Sequence, residues 1–181
     1  MRKTTLFALL LAGVVALGCG AGGGDSNGSG SGSGSGSGDS GGDNKPAAQV
    51  AKVGQAVRDG KFEFTVQQVK CGVNKVGSGF LEEKAQGQFC LVTVKVKNIG
   101  KEAQHFSDSN QKAYGADGAE FSADSGAGIS ANENAEALFN QINPGNEVTG
   151  VIVFDIPKDA KLAKLELHDS AFSGGVTVQV G

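Results

Sequence analysis

The two histidines are the first side chains in this sequence that could do chemistry, and Asp169 and Ser170 directly follow one of them, His168. A serine, a histidine and an acid make up a hydrolytic triad, but the three groups must converge in space, and neighbours in sequence do not have that geometry. His105 and His168 have no carboxylate at a recognised metal-ligand spacing, and two histidines cannot supply a three-histidine zinc site. We therefore expect both histidines to be solvent-facing strand residues, and we predict no catalytic residue, no metal and no cofactor.

Acidic residues recur over 108–110 and 117–124, and carboxylate oxygens are ligands that calcium prefers. The calcium loop of the EF-hand type, with its fixed Gly and its closing Glu, is missing from both stretches. We interpret them as ordinary solvated turns.

A cysteine near the start of the chain has a different chemistry. Residues 1–18 begin with Arg2 and Lys3, continue through the apolar run from Leu6 to Leu17, and place Gly18 directly before Cys19. The run has about 12 residues, which is too short to span roughly 30 Å of hydrocarbon, so the segment predicts a cleaved export signal. The small residue before a cysteine resembles the lipobox of bacterial lipoproteins, and this resemblance implies that acyl chains on Cys19 anchor the protein to the outer face of the cell membrane.

Residues 19–49 are predicted to be a disordered linker. Between Gly20 and Asp43, 12 of 24 residues are Gly and 7 are Ser, a composition that cannot bury enough apolar surface to fold. As a flexible coil this segment spans roughly 25 to 30 Å. The remaining residues, 50–181, are expected to form one domain.

The charge balance argues against one class of partner. The chain carries 16 basic and 19 acidic residues, and removal of the signal takes away two of the basic ones. Because the mature protein is acidic, nucleic-acid binding is disfavoured.

Cys71 and Cys90 form an even pair in a chain with an export signal, which predicts a disulfide. Both fall on the apolar phase of predicted strands, so we expect both to point into the core. The alternative is two buried free thiols.

Alternation of apolar and polar residues predicts an all-β domain. The clearest strand runs from Gln88 to Ile99, the strand from Glu147 to Ile156 is apolar enough to be central in its sheet, and a shift of phase at Gln67 and Gln68 predicts a bulge. Ser130 and Glu133 form a capping-box pattern that predicts a short helix ending near Leu138 and Phe139. Further strands are predicted at 61–66, 104–106, 112–114, 120–122, 163–167 and 176–180, and turns at 116–118 and 143–145.

Seven to nine short strands with frequent turns and at most one short helix favour an antiparallel β-sandwich over a barrel. The pattern resembles a small immunoglobulin-like, telokin-like domain of unknown function found in actinobacterial and other Gram-positive lipoproteins. That resemblance implies an immunoglobulin-like fold and brings no catalytic residues. The segments that carry it are 57–62, 89–100, 117–121, 143–145 and 151–157.

Three functional hypotheses remain open at this point. The favoured one is a non-catalytic module that binds an envelope or extracellular protein or ligand at the cell surface. The alternative is an envelope enzyme, or an accessory domain of one, with an atypical site in the loops from Ser107 to Asn134. A third is a spacer whose function depends mainly on its placement.

Overall fold

Residues 50–132 and 140–181 are described by the structure, which is a computed structural model. Within them, eleven strands form two main sheets and one small sheet. Apolar side chains from both main sheets meet in a single core, where the rings of Phe62 and Phe64 lie 5.9 Å apart and both contact Phe106. The described residues form the predicted β-sandwich, with one short α-helix among them.

The first main sheet has four antiparallel strands in the order β2, β3, β4, β9. Their bounds are Ala56–Asp59, Phe62–Val76, Glu83–Asn98 and Glu147–Ile156. The predicted strands at 61–66 and 88–99 are the inner halves of β3 and β4, which continue beyond the alternating pattern into one long hairpin. Its tip is a short 3-10 helix at Gly79–Leu81.

The second main sheet has five strands in the order β1, β11, β10, β6, β7. Their bounds are Val50–Lys52, Val176–Gln179, Leu162–Leu167, Lys112–Gly115 and Glu120–Ser122. The pair β1 and β11 is parallel, whereas the other pairs are antiparallel as predicted. Outside the two main sheets, β5 (Gln104–His105) pairs with β8 (Gln141–Ile142), and a 3-10 turn covers Asp108–Asn110.

Two local predictions are confirmed by the backbone. The pairing of β3 with β4 shifts register between Val66 and Gln68, which is the predicted bulge. In the turn before β9, the N–H of Asn146 donates to the carbonyl of Asn143 at 3.0 Å, and Gly145 has a φ of +81°. That conformation suits glycine at the third position of a type II turn.

The predicted helix start at Ser130 is wrong. The helix α1 covers Ser125–Ala131, and its N-cap is Asp124, whose side chain accepts a hydrogen bond from the N–H of Ala127 at 3.0 Å. Ser130, the predicted cap, lies in the last turn instead, because Asp124 is an equally good cap six residues earlier. The rest of the predicted helix, residues 133–139, lies outside the described residues. In the described ranges, no helix is long and apolar enough to cross a membrane.

The placement of β9 in the centre of its sheet is also wrong, since β9 is an edge strand. Its apolar character has another cause. Phe154 points into the main core, while Val153 packs on the opposite face against Ala127 of α1 in a second small cluster. The open edge is partly occupied as well, because the N–H of Asp124 donates to the carbonyl of Val153 at 2.8 Å. An edge strand that is covered on both faces has the same nearly continuous apolar sequence as a central strand.

The strand registers define two ends of the sandwich. At the entry end, Val50 pairs with Thr177 at the start of β11, and the N–H of Asp169 donates to Asp59 at 2.6 Å, which joins the β10–β11 loop to the β2–β3 turn. β3 begins at this end and runs for 15 residues. The tip of the β3–β4 hairpin therefore lies at the opposite end of the sandwich, which we call the hairpin end.

Candidate functional site

The two cysteines of the domain form a disulfide that joins β3 to β4. Cys90 is fully buried, whereas Cys71 is exposed. The expectation that both point into the core is therefore wrong for Cys71. The reason is a second shift in strand pairing between Lys70 and Val73, which ends the inward alternation of β3 at this point. The disulfide closes the base of the projecting part of the hairpin, residues 72–87.

A groove opens beside the disulfide at the hairpin end, with a volume of about 620 Å³. The side-chain amide of Gln88 donates to the carbonyls of Pro157, Lys158 and Ala160 at 3.1, 2.7 and 3.2 Å, which holds the β9–β10 loop against β4. Lys158 and Lys161 are exposed at the rim of the groove. The lining also includes the carboxylate of Asp159 but no histidine, serine or threonine, so the groove offers no hydroxyl or imidazole suited to acyl transfer.

The tip of the hairpin exposes large apolar side chains. Phe80 is fully exposed, Leu81 is 60% exposed, and Ile129 on the neighbouring helix α1 is 44% exposed. Leu81 and Ile129 both line a cavity of about 370 Å³ between the tip and the end of α1. We call these three residues the apolar tip. A salt bridge from Lys75 to Glu82, at 2.8 Å, borders it.

His168 is the centre of a second arrangement, at the entry end. Its Nε2 lies 2.9 Å from Oε1 of Glu166, and its Nδ1 lies 3.3 Å from Oγ of Ser173. The three residue types are those of a hydrolytic triad, but the Ser173 hydroxyl donates to the carbonyl of Ser170 at 2.9 Å. Its proton is therefore directed at a backbone oxygen rather than at the imidazole. The group braces the β10–β11 loop, residues 168–175.

The partners of His168 differ from those adjacent in sequence. The imidazole bonds Glu166 and Ser173, while Asp169 and Ser170 contribute backbone groups to the loop. The prediction of a solvent-facing histidine is wrong for His168, whose side chain is only 11% exposed, whereas His105 is exposed on β5.

The acidic residues considered as calcium ligands serve mainly as local hydrogen-bond acceptors. Asp117 accepts from the N–H of Ala119 at 3.1 Å, and Asp124 caps α1. Asp108 differs from the predicted solvated turn because it is buried, and it accepts from the hydroxyl of Ser125 at 2.9 Å. Over residues 50–132 and 140–181, no three His, Cys, Asp or Glu side chains lie close enough together to hold a metal ion.

The outer face of the five-stranded sheet carries a network of charges around Tyr114. Glu120 accepts from the Tyr114 hydroxyl at 3.1 Å and from Lys112 at 2.7 Å, and the ammonium of Lys164 lies 4.3 Å from the centre of the Tyr114 ring. Burial, followed by the hydrogen bond to Glu120, raises the pKa of Tyr114 to about 12. The hydrogen bond from Lys112 holds the pKa of Glu120 below its ordinary value.

Sequence reasoning missed the apolar tip. The only local signal is a turn-forming Gly77-Ser78-Gly79 followed by two large apolar residues. The predicted lipid attachment at Cys19 and the linker fall outside the described residues. The same holds for Asn134 at the end of the loops considered for an enzyme site.

Solved structures of low sequence identity share this fold. The yjhA protein of Bacillus subtilis superposes with a TM-score of 0.55 at 17% identity, covering 72% of this chain and 99% of its own. MPT63, a secreted protein of Mycobacterium tuberculosis, superposes with a TM-score of 0.51 at 16% identity, covering 74% of this chain and 98% of its own. At this level of identity the likeness concerns the β-sandwich alone.

Sequence comparison gives the closer relationship. The chain is 30% identical over 115 residues to the uncharacterized protein YxkC of Bacillus subtilis (strain 168), a match that covers 60% of this chain and 63% of YxkC. The family described as "Domain of unknown function (DUF4352)" matches residues 51–178, which is nearly the whole sandwich. This chain belongs to the DUF4352 family.

Proposed function

We propose that this protein is a lipoprotein, anchored through acyl chains on Cys19 to the outer face of the cell membrane, whose β-sandwich is a non-catalytic binding module. The observation that carries the binding role is the apolar tip, in which Phe80 and Leu81 stand exposed at the end of a braced hairpin. The partner is an extracytoplasmic protein with an apolar pocket.

The exposure of the tip favours binding over a structural role. Exposed Phe and Leu side chains gain nothing from the core of their own domain, and apolar patches rimmed by polar groups are typical of interaction sites. The tip has such a rim in the Lys75–Glu82 salt bridge. An apolar centre with a polar border is the usual anatomy of a protein interface.

The rigidity of the hairpin supports the same proposal. The Cys71–Cys90 disulfide closes its base, and α1 packs against its outer face through Ala127, in a cluster that includes Val76 and Phe89. Because the hairpin that carries the apolar side chains is already held in place, less conformational entropy is lost when a partner binds.

The position of the tip suits a partner beyond the membrane. The chain enters the sandwich at Val50, at the entry end, and β3 carries the tip to the opposite end, roughly 50 Å away for 15 residues of strand. The apolar tip therefore lies at the end of the sandwich opposite to the one where the chain enters at Val50. MPT63, a neighbour in fold, is described as a secreted protein, which agrees with an extracytoplasmic location.

Photo-crosslinking in living cells tests this proposal. A photoreactive phenylalanine analogue at position 80 of the full chain should give a discrete crosslinked protein, and the same analogue at Thr177, on the outer sheet face, should not. When Ile129→Asp is added to the protein that carries the analogue at position 80, the crosslink should disappear. Crosslinks of equal yield at both positions, or none at position 80, would contradict the proposal.

A further inference from the structure

We propose that the entry end of the sandwich rests on the membrane and that the side chain of Phe172 inserts into the lipid interface. This inference rests on the proposed lipid anchor at Cys19. It adds a second contact, made by the folded domain itself.

The first observation is the exposure of Phe172. This side chain is 99% exposed at the tip of the β10–β11 loop, where the segment from Ser170 to Gly175 carries no charge. Aromatic side chains favour the boundary between water and hydrocarbon, and an uncharged tip can enter it without burying an ion.

The second observation is that the loop is held in shape at its base. Gln111, which is fully buried, accepts from the N–H of His168 at 2.8 Å and donates to the carbonyl of the same residue at 3.0 Å. Asp59 accepts from the N–H of Asp169, and the Ser173 side chain bonds His168 and Ser170. The loop therefore presents Phe172 outward in a defined position.

The third observation is where the chain enters the domain. Val50, which is 61% exposed, pairs with Thr177 beside the β10–β11 loop. Ile99, which is 39% exposed, lies at the same end, because its N–H donates to the carbonyl of Lys61 next to the β2–β3 turn. The 31 residues from Cys19 to the sandwich thus end at the face that carries Phe172.

The tether makes a single aromatic contact sufficient. The linker predicted from the sequence has a reach of roughly 25 to 30 Å as a coil, so a domain anchored through it meets the bilayer at a high effective concentration. Insertion then needs to fix only the orientation of the domain. Phe80, equally exposed at the hairpin end, is kept away from the lipid by the same orientation.

Tryptophan fluorescence tests this inference directly, because the chain contains no tryptophan. The full chain is purified with its acyl chains and reconstituted into phosphatidylcholine–phosphatidylglycerol vesicles. Phe172→Trp is compared with Phe80→Trp as the matched control, and both sites are exposed, so neither change affects the core. Emission of F172W should shift to shorter wavelength and be quenched by lipids brominated in the acyl chain, whereas F80W should keep the emission of a tryptophan in water.

If the chain floats with the vesicles, two results would overturn the inference. One is that the emission of F172W is not quenched, and the other is that the emissions of F172W and F80W are quenched equally. A chain that does not float with the vesicles would instead contradict the lipid anchor, and with it the proposed function. The two failures are therefore distinguishable.

Discussion

The side chain of Asn132 pairs with the backbone of Val151 as a neighbouring strand would. Its Nδ2 donates to the Val151 carbonyl at 2.8 Å, and its Oδ1 accepts from the Val151 N–H at 2.8 Å. A further bond runs from Nδ2 to the carbonyl of Gly128 at 2.7 Å, which ties the end of α1 to the edge of β9. The exposed edge of a sheet is a site of unwanted pairing between chains, and this contact blocks it.

Replacement of Asn132 should destabilise the domain. Asn132→Ala leaves the backbone groups of Val151 without these partners, and we expect a loss of about 1–3 kcal/mol in the free energy of unfolding. Denaturation by urea measures the loss. Asn74→Ala, at an exposed position of the hairpin, is the control and should change stability little. Equal stability of the two variants would contradict a stabilising role for Asn132.

Reduction of the disulfide should weaken the fold. The bond joins residues 19 positions apart, and release of a loop of this size removes about 3 kcal/mol in the chain-entropy model. Urea denaturation with and without reductant measures the difference, and the intact mass should rise by two hydrogen atoms when the reductant converts the disulfide to two thiols. The double variant Cys71→Ala, Cys90→Ala should no longer respond to the reductant. A domain without the mass change would contradict the disulfide.

The single tyrosine should titrate late. Because burial and the hydrogen bond to Glu120 favour the neutral phenol, the absorbance of phenolate should show a pKa near 12 for Tyr114 rather than the ordinary 10.0. Because the pKa of Tyr114 is raised in the folded domain, the neutral phenol stabilises the fold. This contribution to the free energy of unfolding is fully present below pH 10 and is lost as the pH rises towards 12.

Glu120→Ala separates the contribution of Glu120 to the raised pKa of Tyr114 from those of burial and of Glu166. It should lower the pKa of Tyr114 only part of the way, since burial is the larger cause. Glu102→Ala, at an exposed position outside this network, should leave the pKa unchanged. A phenolate midpoint near 10 in the unsubstituted protein would contradict the described environment.

Gly175 should be intolerant of a side chain. Its φ is +68°, and a Cβ there would meet the ring of His168 at 2.6 Å. Gly145 has a φ of +81° but open space around it, so Gly145→Ala should cost only the conformational strain, roughly 1 kcal/mol. Gly175→Ala should cost about 1–3 kcal/mol more, because the ring must move. Thermal denaturation compares the two, and equal losses would show that His168 does not pack closely here.

Strands with a regular apolar pattern could be predicted from the sequence alone. The bounds of β9 match those predicted from its apolar run. The inner half of β4 and the bulge at Gln67 and Gln68 follow the alternation of apolar and polar residues. The hairpin over 72–87 could not be predicted, since its apolar residues pack against α1 and a shift in pairing near Val73 interrupts the period.

Long-range polar contacts account for most of what the sequence could not show. Asn98 is fully buried and donates to the carbonyl of Ile142, 44 residues away, and Gln111 bonds the backbone of His168, 57 residues away. The sequence around Asn98 or Gln111 contains no pattern from which these distant partners could be predicted. The same holds for Ser173, which approaches His168 only because the loop folds back.

The parallel pairing of β1 with β11 has a mechanical consequence. If lipid holds Cys19 and a partner holds Phe80, tension enters the sandwich at Val50 and pulls β1 lengthwise along β11. The hydrogen bonds between these strands then bear the load together in shear, whereas a strand pulled sideways loses its bonds one after another. A protein stretched between a moving surface and a bound neighbour is thus attached in its stronger direction.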